Sequence, residues 1–403
     1  MKKPQENEHL AEVEAYLQGN AQLRHALGLE ADKPLQIRPL GKGEHNENFV
    51  FWAASEDAAA SEAEAVSETE TAGTAEAAVA AASEDAGTAT AATAAARTKY
   101  VLRINRIPQP FHDNQVAYEF AALKALEPTG CAPRALYLDD SPTCLGKGVL
   151  VETFCEGQEL DFDNLRPGDL QCAAQLMANV HAAPVPASCP LFQPDDPLQA
   201  LFDECVSRFK VYQGTALEDP RYTRWIERFF AATLEAMDAA PAPTQADRSH
   251  IINTETLPSH FLIPAQAAAS STNVAKTSAT AHPGTFVDWE RPIIAEPAQD
   301  LAFFVAPSTT FWDSDYLFPR QNIQDFLETY WRAVDGRFPR GTFDQRFEAY
   351  LRVSVLRSQT WFCKNAARYV GEGTGHTVER TFKKWGIYTS DEFNQMLLTE
   401  CFQ

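Results

Sequence analysis

No run of eighteen apolar residues occurs in this chain, so no segment has the length of a membrane-spanning helix. The first residues, MKKPQENEHLAEVEAYL, contain two lysines with no apolar stretch behind them. That excludes a secretory signal at this end and makes a cytoplasmic location the expectation. Positive charge is scarce: 34 Lys and Arg stand against 55 Asp and Glu, a net charge of −21. A surface so poor in cations is unsuited to phosphate backbones or anionic lipid, so neither nucleic acid nor membrane is an expected partner. The same balance leaves room for a small cationic partner. Eight cysteines run from Cys131 to Cys401 without a CxxC pair, which excludes a zinc knuckle or a disulfide scaffold and leaves thiols as small apolar side chains. No GK[ST] opens a helix, so there is no Walker loop. The histidines His45, His112, His181, His250 and His282 are not spaced as metal ligands.

Two segments also lack the means to build a core. Residues 54–97 are almost wholly Ala, Glu, Thr, Ser and Gly, with nine acids and no aromatic side chain. Residues 264–284 are similar but nearly uncharged. Neither can bury enough apolar surface to offset ordering entropy, and both read as flexible insertions in surface loops. Removing the nine acids from −21 still leaves −12, so the rest of the chain is acidic in its own right.

The remaining sequence is patterned. Residues 1–34 form an N-terminal helical segment, with helical apolar spacing over 7–28 (Leu10, Val13, Leu17, Leu23, Leu27). PLQIRPLGKGEHNENFVFWA reads as strand, glycine turn, strand. KYVLRINRI alternates as a third strand, residues 114–127 form a helix closed by Pro128 and Gly130, and ALYLDD and GVLVETF are further strands. After Gly157 long helical stretches dominate: 168–183, 196–212, 219–238, 321–334, 343–370 and 391–402. The expected fold is α+β and bilobal. A sheet lobe with one helix spans 35–152, a hinge spans 153–157, and a mainly helical lobe spans 158–403.

Four pieces carry polar residues in the right order for phosphate chemistry. Gly41 and Gly43 lie in a turn between strands, where glycine allows close approach of backbone to a polyphosphate. Arg103 on a strand is followed by Glu119 on a helix, a way to orient a phosphate-gripping charge. Ile251–Ile263 sets a polar loop with Glu255 and His260 between apolar flanks. Phe286–Arg291 places Asp288 at the end of an apolar strand, and carboxylate oxygen is what Mg²⁺ prefers.

This order resembles the aminoglycoside phosphotransferase and choline kinase family, small-molecule relatives of protein kinases, over nearly all the chain from Leu35 to Tyr369. FVDWERPIIAEPAQDLA is similar to the family's I-D-W-E followed by D-x-A-W-D-L-A, GVLVETFCEG to its hinge strand, and AAQLMANVHAAPVP to its L-A-x-L-H helix. The resemblance implies a bilobal kinase-like fold and ATP with Mg²⁺ as cofactors. Gly41 and Gly43 would form the flap over the phosphates and Arg103 the phosphate grip, oriented by Glu119. Residues 152–155, with Glu152 and Phe154, would form the adenine-contacting hinge. Asp288 would hold metal, and Asp300 would brace the catalytic loop.

The family's H-G-D-x-x-x-x-N loop is altered. In its register stand Asn253, Thr254 and Glu255, then His260. Glu255 replaces the base Asp with a side chain longer by about 1.5 Å. His260 replaces the metal-binding Asn, as a metal ligand or as a donor to phosphate; imidazole nitrogen suits softer metals than Mg²⁺. Two functions follow from this loop. One is ATP-dependent phosphorylation of a hydroxyl on a small metabolite, with Glu255 as base. The other is an inactive kinase-like protein that binds nucleotide or a protein partner. The acceptor's identity and the oligomeric state have no signature in the sequence.

Overall fold

The computed structural model describes residues 3–42, 46–54, 98–106, 114–141, 145–146, 148–264, 283–372 and 384–402. Apart from their edge residues, the insertions expected at 54–97 and 264–284 lie outside these, as does Gly43.

The helical apolar spacing of the N-terminal segment resolves into two helices, α1 (Lys3–Gly19) and α2 (Ala21–Ala26). Asn20 sets the break. Its backbone is extended and its side chain accepts from the Leu23 amide at 3.0 Å, capping the second helix. Val13, Leu17 and Leu23 from these helices are fully buried against a five-stranded antiparallel sheet. The strands are β1 (Leu35–Lys42), β2 (Asn46–Ala53), β3 (Lys99–Asn105), β4 (Ala135–Asp139) and β5 (Val149–Thr153), in the order β1-β2-β3-β5-β4.

Strand alternation decides what this sheet shows to each side. Phe49, Phe51, Tyr100, Leu102, Ile104, Val149 and Val151 enter the small core with α1 and α2. The intervening residues, including Asn46, Asn48, Arg103 and Glu152, therefore occupy the opposite face, where Asn48 pairs with Arg103 and Arg103 with Leu150. A one-residue slip would turn Arg103 into the apolar core.

Helix α3 (Gln115–Leu126) stands against that second face. Its buried residues Val116, Tyr118, Ala122 and Leu123 join the large core, not the small one, and the Tyr118 hydroxyl donates to the Pro292 carbonyl at 2.5 Å. The boundary between the two cores thus runs along α3.

The large core is built from α4 (Asp169–His181), α5 (Pro197–Tyr212), α6 (Pro220–Ala239), α7 (Pro297–Val305), α8 (Pro307–Asp313), α9 (Arg320–Val334), α10 (Phe343–Glu372) and α11 (Asp391–Cys401). Helix α10 packs on α5, α6 and α7, and α9 packs on α4. Short strands carry the polar loops. β6 (Gln158–Glu159), β8 (Phe261–Ile263) and β9 (Thr285–Phe286) form one antiparallel set, while β7 (His250–Ile252) pairs with β10 (Ile293–Ala295). Among the described residues no helix is long and apolar enough to cross a membrane.

A buried ion pair locks α7 to α10. Arg346 Nε donates to Glu296 Oε1 at 2.6 Å, and the Tyr350 hydroxyl donates to Glu296 Oε2 at 2.6 Å, with Arg346 and Glu296 almost wholly buried. Replacing Arg346 with Met strands that carboxylate, so Arg346→Met should cost roughly 3–5 kcal/mol in urea unfolding. An unchanged midpoint would show that the pair does not hold these helices.

Candidate active site

The cleft face of the sheet meets the loop after β9 at Arg103. Its Nε donates to Glu119 Oε2 at 3.2 Å, and its Nη2 donates to Asp288 Oδ1 at 2.9 Å and to Glu290 Oε1 at 3.3 Å. Asp288 lies 185 residues away in sequence. Asn46 on β2 donates to Glu290 Oε1 at 2.6 Å and accepts from Asn105 at 3.0 Å. Gln115 on α3 donates to Glu119 Oε1 at 3.0 Å and to the Glu290 carbonyl at 2.6 Å. Glu152, buried on the same sheet face, adds a fourth carboxylate to the charge around Arg103.

One guanidinium against four carboxylates leaves the pocket short of positive charge. Burial, opposed by Arg103 and reinforced by Glu119 and Asp288, pushes the Glu152 carboxyl up to about 7. Burial and the neighbouring Asp288 charge push Glu290 up to about 8 against the pull of Arg103. Burial disfavours the Arg103 charge, but Glu119 and Asp288 outweigh it and hold the guanidinium firmly ionised. Carboxylates raised by their own crowding are what a divalent cation relieves, and oxygen donors suit Mg²⁺. Among the described residues no three His, Cys, Asp or Glu side chains form a complete metal cage. Mg²⁺ does not require one, because it is held by one or two carboxylates with phosphate and water.

The loop between β7 and β8 is organised by Asp300 on α7. This wholly buried carboxylate accepts from the Asn253 amide at 2.8 Å, the Thr254 amide at 2.7 Å and His181 Nε2 at 3.2 Å. Because a carboxylate only accepts, His181 carries its proton on Nε2, and Nδ1 accepts from the Tyr330 hydroxyl at 2.9 Å. The bracing role that the resemblance implies for Asp300 matches this geometry. The part played by His181 was not legible from its spacing.

Thr254 and Asp288 both adopt left-handed backbone, with φ of 71° and 63°. Such conformations cost about 1–3 kcal/mol each, the more so for a β-branched residue. Thr254 is held there by Asp300, by its own hydroxyl donating to the Arg291 carbonyl at 3.0 Å, and by Arg357 Nη1 donating to its carbonyl at 2.8 Å. Asn253 ties this loop to the next one: its Nδ2 donates to the Asp288 carbonyl at 2.8 Å, and its Oδ1 accepts from the Glu255 amide at 3.1 Å.

Glu255 faces guanidiniums. Its Oε1 accepts from Arg291 Nη1 at 3.2 Å and from Arg357 Nη2 at 2.9 Å. Burial would raise its carboxyl, but Arg291 and Arg357 bring it below the ordinary carboxylate range. His260 Nε2 lies 3.3 Å from Asp288 Oδ2, while its Nδ1 is buried with no hydrogen-bond partner among the described residues.

Of the residues singled out from sequence, Arg103, Glu119, Glu152, Asp288 and His260 thus converge on one cleft, and Asn253 links Glu255 to it. Gly41 is part of β1, where it pairs with Asn48. Phe154 follows β5, its amide donating to the Lys99 carbonyl at 3.2 Å. Sequence reasoning missed Glu290, Arg291 and Arg357; the first two are adjacent to Asp288 in V-D-W-E-R, which was the available signal.

A small sheet lobe carrying a cationic strand residue, set against a helical lobe with an acidic loop, is the architecture of the bilobal kinase-like fold. The family described as Phosphotransferase enzyme family matches residues 78–262. No curated protein matches the sequence. Among solved structures, a proposed aminoglycoside phosphotransferase of Ralstonia eutropha JMP134 is 14% identical, with TM-score 0.58, covering 98% of this chain and 99% of that one. Spectinomycin phosphotransferase APH(9)-Ia, solved with ADP and spectinomycin, is 11% identical with TM-score 0.55, covering 94% and 97%. Ethanolamine kinase of Plasmodium vivax is 11% identical with TM-score 0.53, covering 93% and 88%. The family returned is the one that the motifs resemble, and the fold is bilobal and kinase-like.

Asp300→Asn replaces an acceptor with an amide whose NH₂ opposes a backbone N–H. It should cost about 2 kcal/mol or more. Hydrogen exchange at the Asn253 and Thr254 amides should accelerate, and unchanged protection there would refute the bracing role.

Proposed function

We propose that the protein transfers the γ-phosphoryl group of ATP to a hydroxyl of a small metabolite. The observation that carries this reading is the convergence of Arg103 with Glu119, Asp288 and Glu290 at the junction of the two lobes. Arg103, fixed by Glu119, meets phosphate oxygens, and the backbone at the Gly41 end of β1 covers them. The segment from Glu152 through Phe154 borders the base. Asp288 and Glu290 would hold Mg²⁺, which supplies charge neutralisation to the phosphates when bound.

Glu255 accepts the proton of the acceptor hydroxyl as its oxygen forms a bond to the γ-phosphorus, and the bond to the ADP oxygen breaks. Asp300 and Asn253 hold the loop that carries this base. Of the two roles open to His260, donation is the better supported. Its Nε2 lies 3.3 Å from Asp288 Oδ2, within reach of a hydrogen bond to that carboxylate or to a phosphate oxygen, and imidazole nitrogen suits softer metals than Mg²⁺.

A second reading has its own support: Glu255 is already bonded by two guanidiniums, which weakens it as a base, so the protein would bind nucleotide without transferring phosphate. The two are separated by ADP release from Mg·ATP across amino alcohols, aminoglycosides, sugars and hydroxy acids, alongside thermal shift with Mg·ATP alone. Acceptor-dependent ADP release, reduced at least about a hundredfold in Glu255→Gln with nucleotide binding intact, is the expected result. Normal turnover in Glu255→Gln would remove Glu255 as the base. A thermal shift without turnover would favour the second reading.

A further inference from the structure

The acceptor side of the cleft has the opposite charge problem from the nucleotide side. Arg291 joins Glu255 to Glu204 of α5, donating Nη2 to Glu204 Oε1 at 3.2 Å. Arg208 Nη2 donates to the same oxygen at 2.5 Å, and Arg357 Nε lies 3.9 Å from Glu204 Oε2. Three guanidiniums therefore share two carboxylates, a local surplus of one positive charge in a chain whose net charge is −21.

Arg208 and Arg357 are buried, with relative exposures of 7% and 5%. Arg357 lies over the Phe303 ring at 5.1 Å, and its Nε has no hydrogen-bond partner among the described residues. Burying an excess guanidinium is costly unless an anion completes it. The Arg291 side chain is 23% exposed and Glu255 is 35% exposed, so this ion pair, 3.2 Å across, reaches solvent at both ends. A cationic acceptor would need free carboxylates at this point, but both carboxylates are already neutralised by arginine.

We infer that the acceptor is a hydroxylated metabolite bearing an anionic group, a carboxylate or a phosphate ester, which Arg291 receives with Arg357 and Arg208 behind it. This substrate class rests on the phosphotransfer reading above. The guanidinium fork of Arg291 suits either anion. Engaging it also draws Arg291 away from Glu255, so the base loses one of its two cations and gains basicity when the proper acceptor arrives. Charge recognition and activation of the base are then one event.

The test uses the full chain with its nucleotide site filled by Mg·ADP, titrated at constant ionic strength with inorganic phosphate and, separately, with malonate, against a chloride control. The wild type should bind at least one probe. Phosphate preference would indicate a phosphate ester and malonate preference a carboxylate. Arg291→Gln should weaken that binding about tenfold or more, which is about 1.4 kcal/mol. Glu255→Gln, which removes the competing carboxylate, should tighten it, and Arg221→Gln on the outer face of α6 should leave it unchanged. Binding of neither probe, or equal binding by the wild type and both cleft variants, would overturn the inference. The ADP affinity measured in the same samples keeps the two readings apart: loss of ADP binding counts against the nucleotide reading, whereas ADP bound with no Arg291-dependent anion binding removes only this one.

Discussion

The contact between Arg103 and Asp288 sets the terms for the rest of the structure. A buried guanidinium at the junction of two cores must be matched, and Glu119, Asp288 and Glu290 match it from a helix of one side and a loop of the other. The match is overdone, because Glu152 joins them. Burial, reinforced by neighbouring carboxylates and opposed by Arg103, pushes Glu290 up to about 8 and Glu152 up to about 7, so negative charge here outweighs the one guanidinium. In the proposed function, Mg²⁺ and nucleotide phosphates would bind at this point.

Around this centre the molecule holds two loops in conformations that they would not adopt alone. Thr254 and Asp288 are both left-handed, and each is tied to its surroundings by backbone hydrogen bonds that the large core guarantees. Asp300 is the hub of this arrangement, and His181, Tyr330 and the Glu296–Arg346 pair keep its helix in place. The loop from Asn253 to Glu255 is therefore fully supported, with Glu255 placed among arginines. That supply of cations distinguishes the Glu255 end of the site from the acidic Arg103 end, although the two ends share one loop from Asp288 to Arg291.

Much of this was legible in the sequence. Alternation along KYVLRIN put Arg103 on the face opposite Tyr100, Leu102 and Ile104, and the structure keeps it there. The helices that begin at Asp169, Pro197, Pro220, Arg320, Phe343 and Asp391 follow the expected spans to within a residue or two. What escaped has physical reasons. Helix α7 is only nine residues long and buried at every position but Phe303, and so short an apolar run cannot be told from a strand by its period. The break at Asn20 depends on a single cap within an otherwise continuous apolar stripe. His181, Arg357 and Glu204 act through contacts 119, 102 and 87 residues distant along the chain, where no local spacing could announce them.

The most direct measurement is a crystal structure of the protein with Mg·ADP. The account requires the nucleotide phosphates against Arg103, the cation on the carboxylates of Asp288 and Glu290, and His260 bearing no metal. A nucleotide bound away from Arg103, or a cation held by other residues, would contradict it.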